Sequence, residues 1–126
     1  MMPMFEFKEW GIAKAGSGYG GQVGDRWCAI IECKKGMNRG NHVHSHDQFT
    51  VLVKGKELVV MEIDGELVEV ELKPDTVHRT PAGVNHLTVA LEDSVAYEWW
   101  DGPSSMETCP GVFDDYLKSF REKMGT

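Results

Sequence analysis

Along most of this chain, apolar and polar residues alternate with a period of two in short runs closed by Gly, Pro, Asn or Asp, which is the pattern of antiparallel strands with one buried face. Phe5 to Trp10 sets Phe5 and Phe7 against Glu6 and Lys8, and Trp27 to Cys33 is a denser apolar run, so both are read as strands. The intervening AGSGYGGQVGD permits turns but brings few side chains to pack, and it is read as a flexible connection. From Phe49 the signal sharpens into FTVLVK, KELVVMEI and ELVEVEL, with Asp64-Gly65 between the last two marking a hairpin. Lys73-Pro74-Asp75 then turns the chain into TVHRT, Pro81-Ala82-Gly83 into HLTVAL, and Glu92-Asp93 into SVAYEWW. After Asp101-Gly102-Pro103 the period changes. Val112, Phe113, Tyr116, Leu117 and Phe120 recur at helical spacing and Pro110 suits a first helical turn, so a short amphipathic helix is expected over about 110–124. Its aromatic stripe would pack on the outside of the sheet or on a partner chain.

A chain of 126 residues suits one all-β domain and therefore one principal site. No apolar run approaches the roughly 20 residues a membrane helix needs. The start MMPMFEFKEW breaks its apolar residues with Glu6, Lys8 and Glu9, unlike a secretion signal, so a cytoplasmic protein is expected. The formal net charge is −7 and the basic residues are scattered, which argues against nucleic acid and against an anionic membrane as partners. Cys28, Cys33 and Cys109 are an odd number without a C-x-x-C pair and read as buried apolar side chains rather than a disulfide framework. Gly16, Gly18 and Gly21 match G-x-G-x-x-G, but that motif works where it opens a helix; a strand follows here, so the match is read as coincidence.

The segment NHVHSHDQ changes the picture. His42, His44, His46 and Gln48 share parity, so on extended backbone their side chains leave on one face. An exposed, polar strand end is one reading. A metal site is the other, because neutral imidazoles bind divalent ions well and two at i, i+2 can share one ion. A third ligand from elsewhere would decide, and PAGVNH supplies a candidate, a Pro-Gly turn leading straight into a strand that begins with His86.

With both segments in view the chain resembles the cupin family. The family's first motif, usually G-x5-H-x-H-x3,4-E-x6-G, is matched in its latter part by His42, His44, Gln48 and Gly55. The second, usually G-x5-P-x-G-x2-H-x3-N, is matched in its middle by Pro81, Gly83 and His86. Gln48 replaces the motif glutamate, Asp75 its glycine and Ala90 its asparagine. The resemblance implies a double-stranded β-helix (cupin or jelly-roll barrel) filling residues 1–126, with core motifs over about 40–90, often dimerised, and with a metal inside the barrel mouth.

On that basis His42, His44, Gln48 and His86 are the expected ligands of one divalent ion, iron, nickel, manganese or zinc, with Gln48 bound directly or orienting a ligand or water from behind. His46, His78, Arg79, Tyr97 and Trp99 are candidates for the substrate pocket. The function expected is a metal-dependent enzyme, a dioxygenase or a lyase or isomerase, acting on a small organic acid or sugar-like compound. The alternative is a non-catalytic cupin that binds or senses a small ligand. A homodimer is expected.

Overall fold

The computed structural model describes residues 8–11, 16–102 and 105–125; Phe5, Phe7 and the start of the first expected strand lie outside the described residues. The chain runs through β1 (Lys8–Gly11), β2 (Gly16–Val23), β3 (Arg26–Cys33), β4 (Asn38–Val43), β5 (Gln48–Lys54), β6 (Glu57–Ile63), β7 (Glu66–Glu71), β8 (His78–Thr80), β9 (His86–Ala90), β10 (Ser94–Trp100), β11 (Glu107–Thr108) and α1 (Asp114–Met124). Two antiparallel sheets result, in the orders β1-β2-β3-β10-β5-β8 and β11-β4-β9-β6-β7, which is the jelly-roll arrangement of a cupin barrel. None of the described helices is long and apolar enough to cross a membrane.

The glycine-rich segment is a strand rather than a flexible connection. β2 pairs with β3 along its whole length, from Gly16 opposite Cys33 to Val23 opposite Arg26. A glycine has no side chain to show the period of two, so the alternation is invisible in the sequence. At Gly16 the missing side chain is itself required, because a Cβ there would fall on the Glu32 carbonyl oxygen. With a strand here, G-x-G-x-x-G has no helix to open.

Strand parity divides the molecule into layers. On β10, Ser94, Ala96, Glu98 and Trp100 are buried while Val95, Tyr97 and Trp99 are half-buried. On β9 every residue is buried, because the outer face is covered as well. There Leu87 and Val89, with Val60, meet Phe113, Leu117 and Phe120 of the C-terminal segment. Burying each such side chain contributes on the order of 1.5–3 kcal/mol. The helix starts at Asp114, later than expected, because 110–113 forms a turn that carries Phe113 into this cluster. Asp114 and Asp115 suit the positive end of the helix dipole, and Gly125 closes the other end in the left-handed conformation. Inside the barrel, Leu52, Val59, Met61 and Leu72 fill one region and Ala29, Ile31 and Trp100 another.

Candidate metal centre

β4 and β9 pair so that His42 stands directly opposite His86. The register of β4 slips between Gly40 and His42, where Gly40 and Asn41 both take positive φ, 88° and 76°. This bulge reverses parity, so Arg39 and His42, three residues apart, both line the same cavity. Glycine suits position 40 because a Cβ would press on Leu87 Cα, 3.2 Å away. His44 follows the end of β4, and the Pro81-Ala82-Gly83 turn delivers His86 at the start of β9.

The three imidazoles meet. Ring centroids lie 4.4 Å apart for His42 and His44, 5.0 Å for His42 and His86, and 5.2 Å for His44 and His86. One nitrogen from each lies within 4.8 Å of the others, close enough to serve one ion. Burial is the largest cause lowering the pKa of His42 to about 3 and that of His86 to about 4, with neighbouring imidazoles adding to both. Both rings are therefore neutral at pH 7 and keep a lone pair for a metal.

The backbone fixes which nitrogen is offered. His44 Nδ1 donates to the Ser105 carbonyl, leaving Nε2 buried and without a partner among the described residues. His86 Nδ1 donates to the Val84 carbonyl at 3.1 Å, so its Nε2 is bare too. Gln48, buried at the start of β5, donates its amide N–H to Thr50 Oγ1 at 3.3 Å and holds Oε1 3.0 Å from His86 Nε2. With the amide in this orientation two acceptors face each other, an arrangement that requires a proton or a cation between them. Burial disfavours the proton on His86. An orphaned imidazole nitrogen and a facing pair of acceptors fit a divalent cation.

A cavity of about 400 Å³ opens beside these residues and is lined by His42, His44, Gln48 and His86. His46, His78, Arg79, Tyr97 and Trp99 are not among the residues lining this cavity. Inward parity on β10 belongs to Glu98 and Trp100, so Tyr97 and Trp99 stand on the outer face, Trp99 stacked on Phe49 at 5.4 Å. His46 packs its ring on Gly102 and bonds Ser45 Oγ. His78 Nε2 accepts from Thr80 Oγ1, and exposed Arg79 pairs with Asp47 at 2.7 Å.

What the sequence reading passed over lies deeper. Arg39, Glu57 and Glu98 are 7%, 0% and 4% exposed, and Arg39 and Glu98 line the cavity. A signal existed for Glu98, which shares its parity with Ala96 and Trp100.

A family model described as Cupin domain matches residues 29–100. No curated protein sequence matches the chain. Among solved structures, a mutant of Bacillus subtilis oxalate decarboxylase superposes with a TM-score of 0.70 at 16% identity, over 82% of this chain and 30% of that one. The capsular polysaccharide assembling protein CapF from Staphylococcus aureus gives 0.66 at 20% identity, over 82% and 34%. Hazelnut (Corylus avellana) vicilin gives 0.65 at 14% identity, over 82% and 34%. The chain thus spans about a third of the length of each, and at these identities the likeness is one of fold.

Proposed function

This chain belongs to the cupin domain family, and from that premise we propose that it is a metal-dependent enzyme acting on a small organic molecule, with one divalent ion held by His42, His44 and His86 and completed by Gln48. Fold alone does not choose among activities, so the reading rests on the site. The observation that carries it is the buried Nε2 of His44, without a partner among the described residues, beside two further imidazoles. A buried acceptor left unsatisfied costs about 1–3 kcal/mol, and a bound cation removes that cost.

Bound there, iron, nickel, manganese or zinc would supply a Lewis-acidic centre suited to dioxygenase, lyase or isomerase chemistry. The chain's own residues prepare it. The Ser105 and Val84 carbonyls hold two imidazoles in the tautomer that offers Nε2, burial keeps His42 and His86 neutral, and Trp27 and Trp100 line the cavity beside them. Gln48 offers a neutral oxygen, leaving the centre with more net positive charge than a carboxylate would. The test is metal analysis of protein purified without chelator or affinity metal, followed by oxygen uptake and product analysis with candidate substrates. About one ion per chain, lost in His86→Ala, supports the reading; metal-free protein that takes up no added ion overturns it.

A non-catalytic, ligand-sensing cupin is the second reading, favoured by the same Gln48, which cannot act as a base where a glutamate could. Gln48→Glu discriminates: a tighter ion with no turnover of any substrate favours sensing. The expected homodimer is supported by the outer face of the six-stranded sheet. Tyr19, Ile30, Tyr97 and Val51 lie side by side there across four strands, Tyr19 and Ile30 about 40% exposed. Sedimentation of the native chain and of Ile30→Glu tests it.

A further inference from the structure

One layer below the histidines, the cavity wall carries polar groups that the metal reading does not use. Strand register sets the depth. His42 stands opposite His86 and Gln48 opposite Trp100, while Arg39 stands opposite Thr88 and Thr50 opposite Glu98. On β5 and β10 the second layer is two residues further along, roughly 7 Å at the rise of a strand.

In that layer Arg39 Nη1 donates to Glu57 Oε2 at 2.5 Å, and Nη2 and Nε donate to Glu98 Oε1 at 2.6 and 3.3 Å. Two carboxylates answer one guanidinium, so the group has no positive charge to spare. Arg39 is also the only lysine or arginine among the described residues that line the cavity. Glu57 lies behind the wall, but Glu98 lines it, and its Oε2 has no hydrogen bond to a described residue. The apolar walls of the cavity are Trp100, level with Gln48, and Trp27 beside it, with Ile31 one step beyond Glu98 opposite Ala96 and Met106 exposed at the mouth.

A ligand carboxylate reaching this depth would lose its hydration, meet Glu98 and find Arg39 already engaged. A hydroxyl or ammonium would donate to Glu98 instead. We propose that the cavity selects a ligand with unlike ends: a donor atom for the ion at the three imidazoles, an apolar or aromatic middle against Trp27 and Trp100, and a hydroxyl or ammonium tail on Glu98. The head group rests on the metal reading; the tail preference rests on Glu98 alone. A dicarboxylate of matched length is the ligand this wall rejects.

The experiment is calorimetric titration of the full chain, with and without bound Zn²⁺, using 4-(aminomethyl)benzoate, 4-(hydroxymethyl)benzoate and terephthalate. Zn²⁺ uptake is measured first and separately, so a failed metal site shows itself before any probe is added, and the probe order without the ion still tests the tail. A hydrogen bond to a buried charge predicts that the ammonium and hydroxyl probes bind at least about tenfold tighter than terephthalate. In Glu98→Gln that ratio falls below about threefold with Zn²⁺ uptake unchanged. Terephthalate binding as tightly as the other two, or no probe binding at millimolar concentration with or without the ion, overturns the proposal. Should Glu98→Gln fail to fold, the probe order in the native chain decides.

Discussion

The imidazoles at the cavity mouth and the ion cluster one layer below are both buried polar groups, yet one turns bare nitrogens toward a common point and the other ties a cation between two carboxylates. His44 Nε2 has no partner among the described residues, and His86 Nε2 faces another acceptor. Arg39 instead bridges Glu57 and Glu98 with three hydrogen bonds. The ion cluster leaves Glu57 Oε1 without a partner among the described residues, but its carboxylates already hold a cation, whereas the imidazole nitrogens face only one another and Gln48. Position alone would not separate them, since both lie on inward-facing strand positions.

The largest effect should come from breaking the Arg39–Glu57–Glu98 cluster. Arg39→Met leaves two buried carboxylates without a cation and is expected to destabilise the fold by about 3–5 kcal/mol in urea denaturation. Adding Glu57→Gln and Glu98→Gln should recover most of that loss, because the buried negative charges go with the positive one. Burial already pushes the Glu57 carboxyl upward while Arg39 holds it back, so the single variant should regain stability as pH falls and Glu57 takes a proton. A loss below about 1 kcal/mol would erase the contrast between the clusters.

The imidazole cluster should respond to addition rather than removal. Zn²⁺ at a hundredfold excess over its Kd is expected to raise stability by about 2.7 kcal/mol, an increment absent in His86→Ala. Without metal, that variant should cost much less than Arg39→Met, since it removes a ring whose Nε2 has no favourable partner. Thermal unfolding with and without the ion measures both quantities.

The same cluster gives the metal-free protein a pH dependence of definite sign. His42 and His86 titrate near 3 and 4 when folded, against about 6.5 when unfolded. Below about pH 6.5 the unfolded chain binds protons that the folded chain refuses, so stability is complete above that value and falls as pH drops toward 4. Each ring contributes a slope of up to about 1.4 kcal/mol per pH unit across this window. Denaturation midpoints between pH 7 and pH 4.5 check the sign, and a flat profile would contradict the burial of the two rings.

The contrast also explains which parts of the protein were readable in its sequence. His42, His44, Gln48 and His86 stood out because imidazoles are scarce and their spacing within two segments is short, and the segments carry turn residues that announce strands. Arg39 was hidden by the bulge at Gly40 and Asn41, since simple alternation puts it on the face opposite His42. Alternation also groups Tyr97 with Trp99 and Glu98 with Trp100 without saying which pair turns inward; that depends on the partner sheet. On β10 the inward places belong to Glu98 and Trp100. β2 was misread for a different reason, because its glycines carry no side chains in which a pattern could be seen.

The smallest effects should come from the surface pair beneath the Pro81 turn, where exposure removes most of the energy of an ion contact. Arg79 Nε donates to Asp47 Oδ2, but Asp47 Oδ1 also accepts the Ala82 N–H at 2.8 Å. That backbone bond, more than Arg79, holds the Asp47 carboxyl below its usual range. Arg79→Ala should therefore leave both the denaturation midpoint and Zn²⁺ uptake almost unchanged. Asp47→Ala releases the turn that delivers His86, and it should weaken Zn²⁺ by roughly tenfold, the lower end of what residues behind a ligand usually contribute. Equal Zn²⁺ affinities in the two variants would mean that β9 holds His86 in place without help from the turn before it.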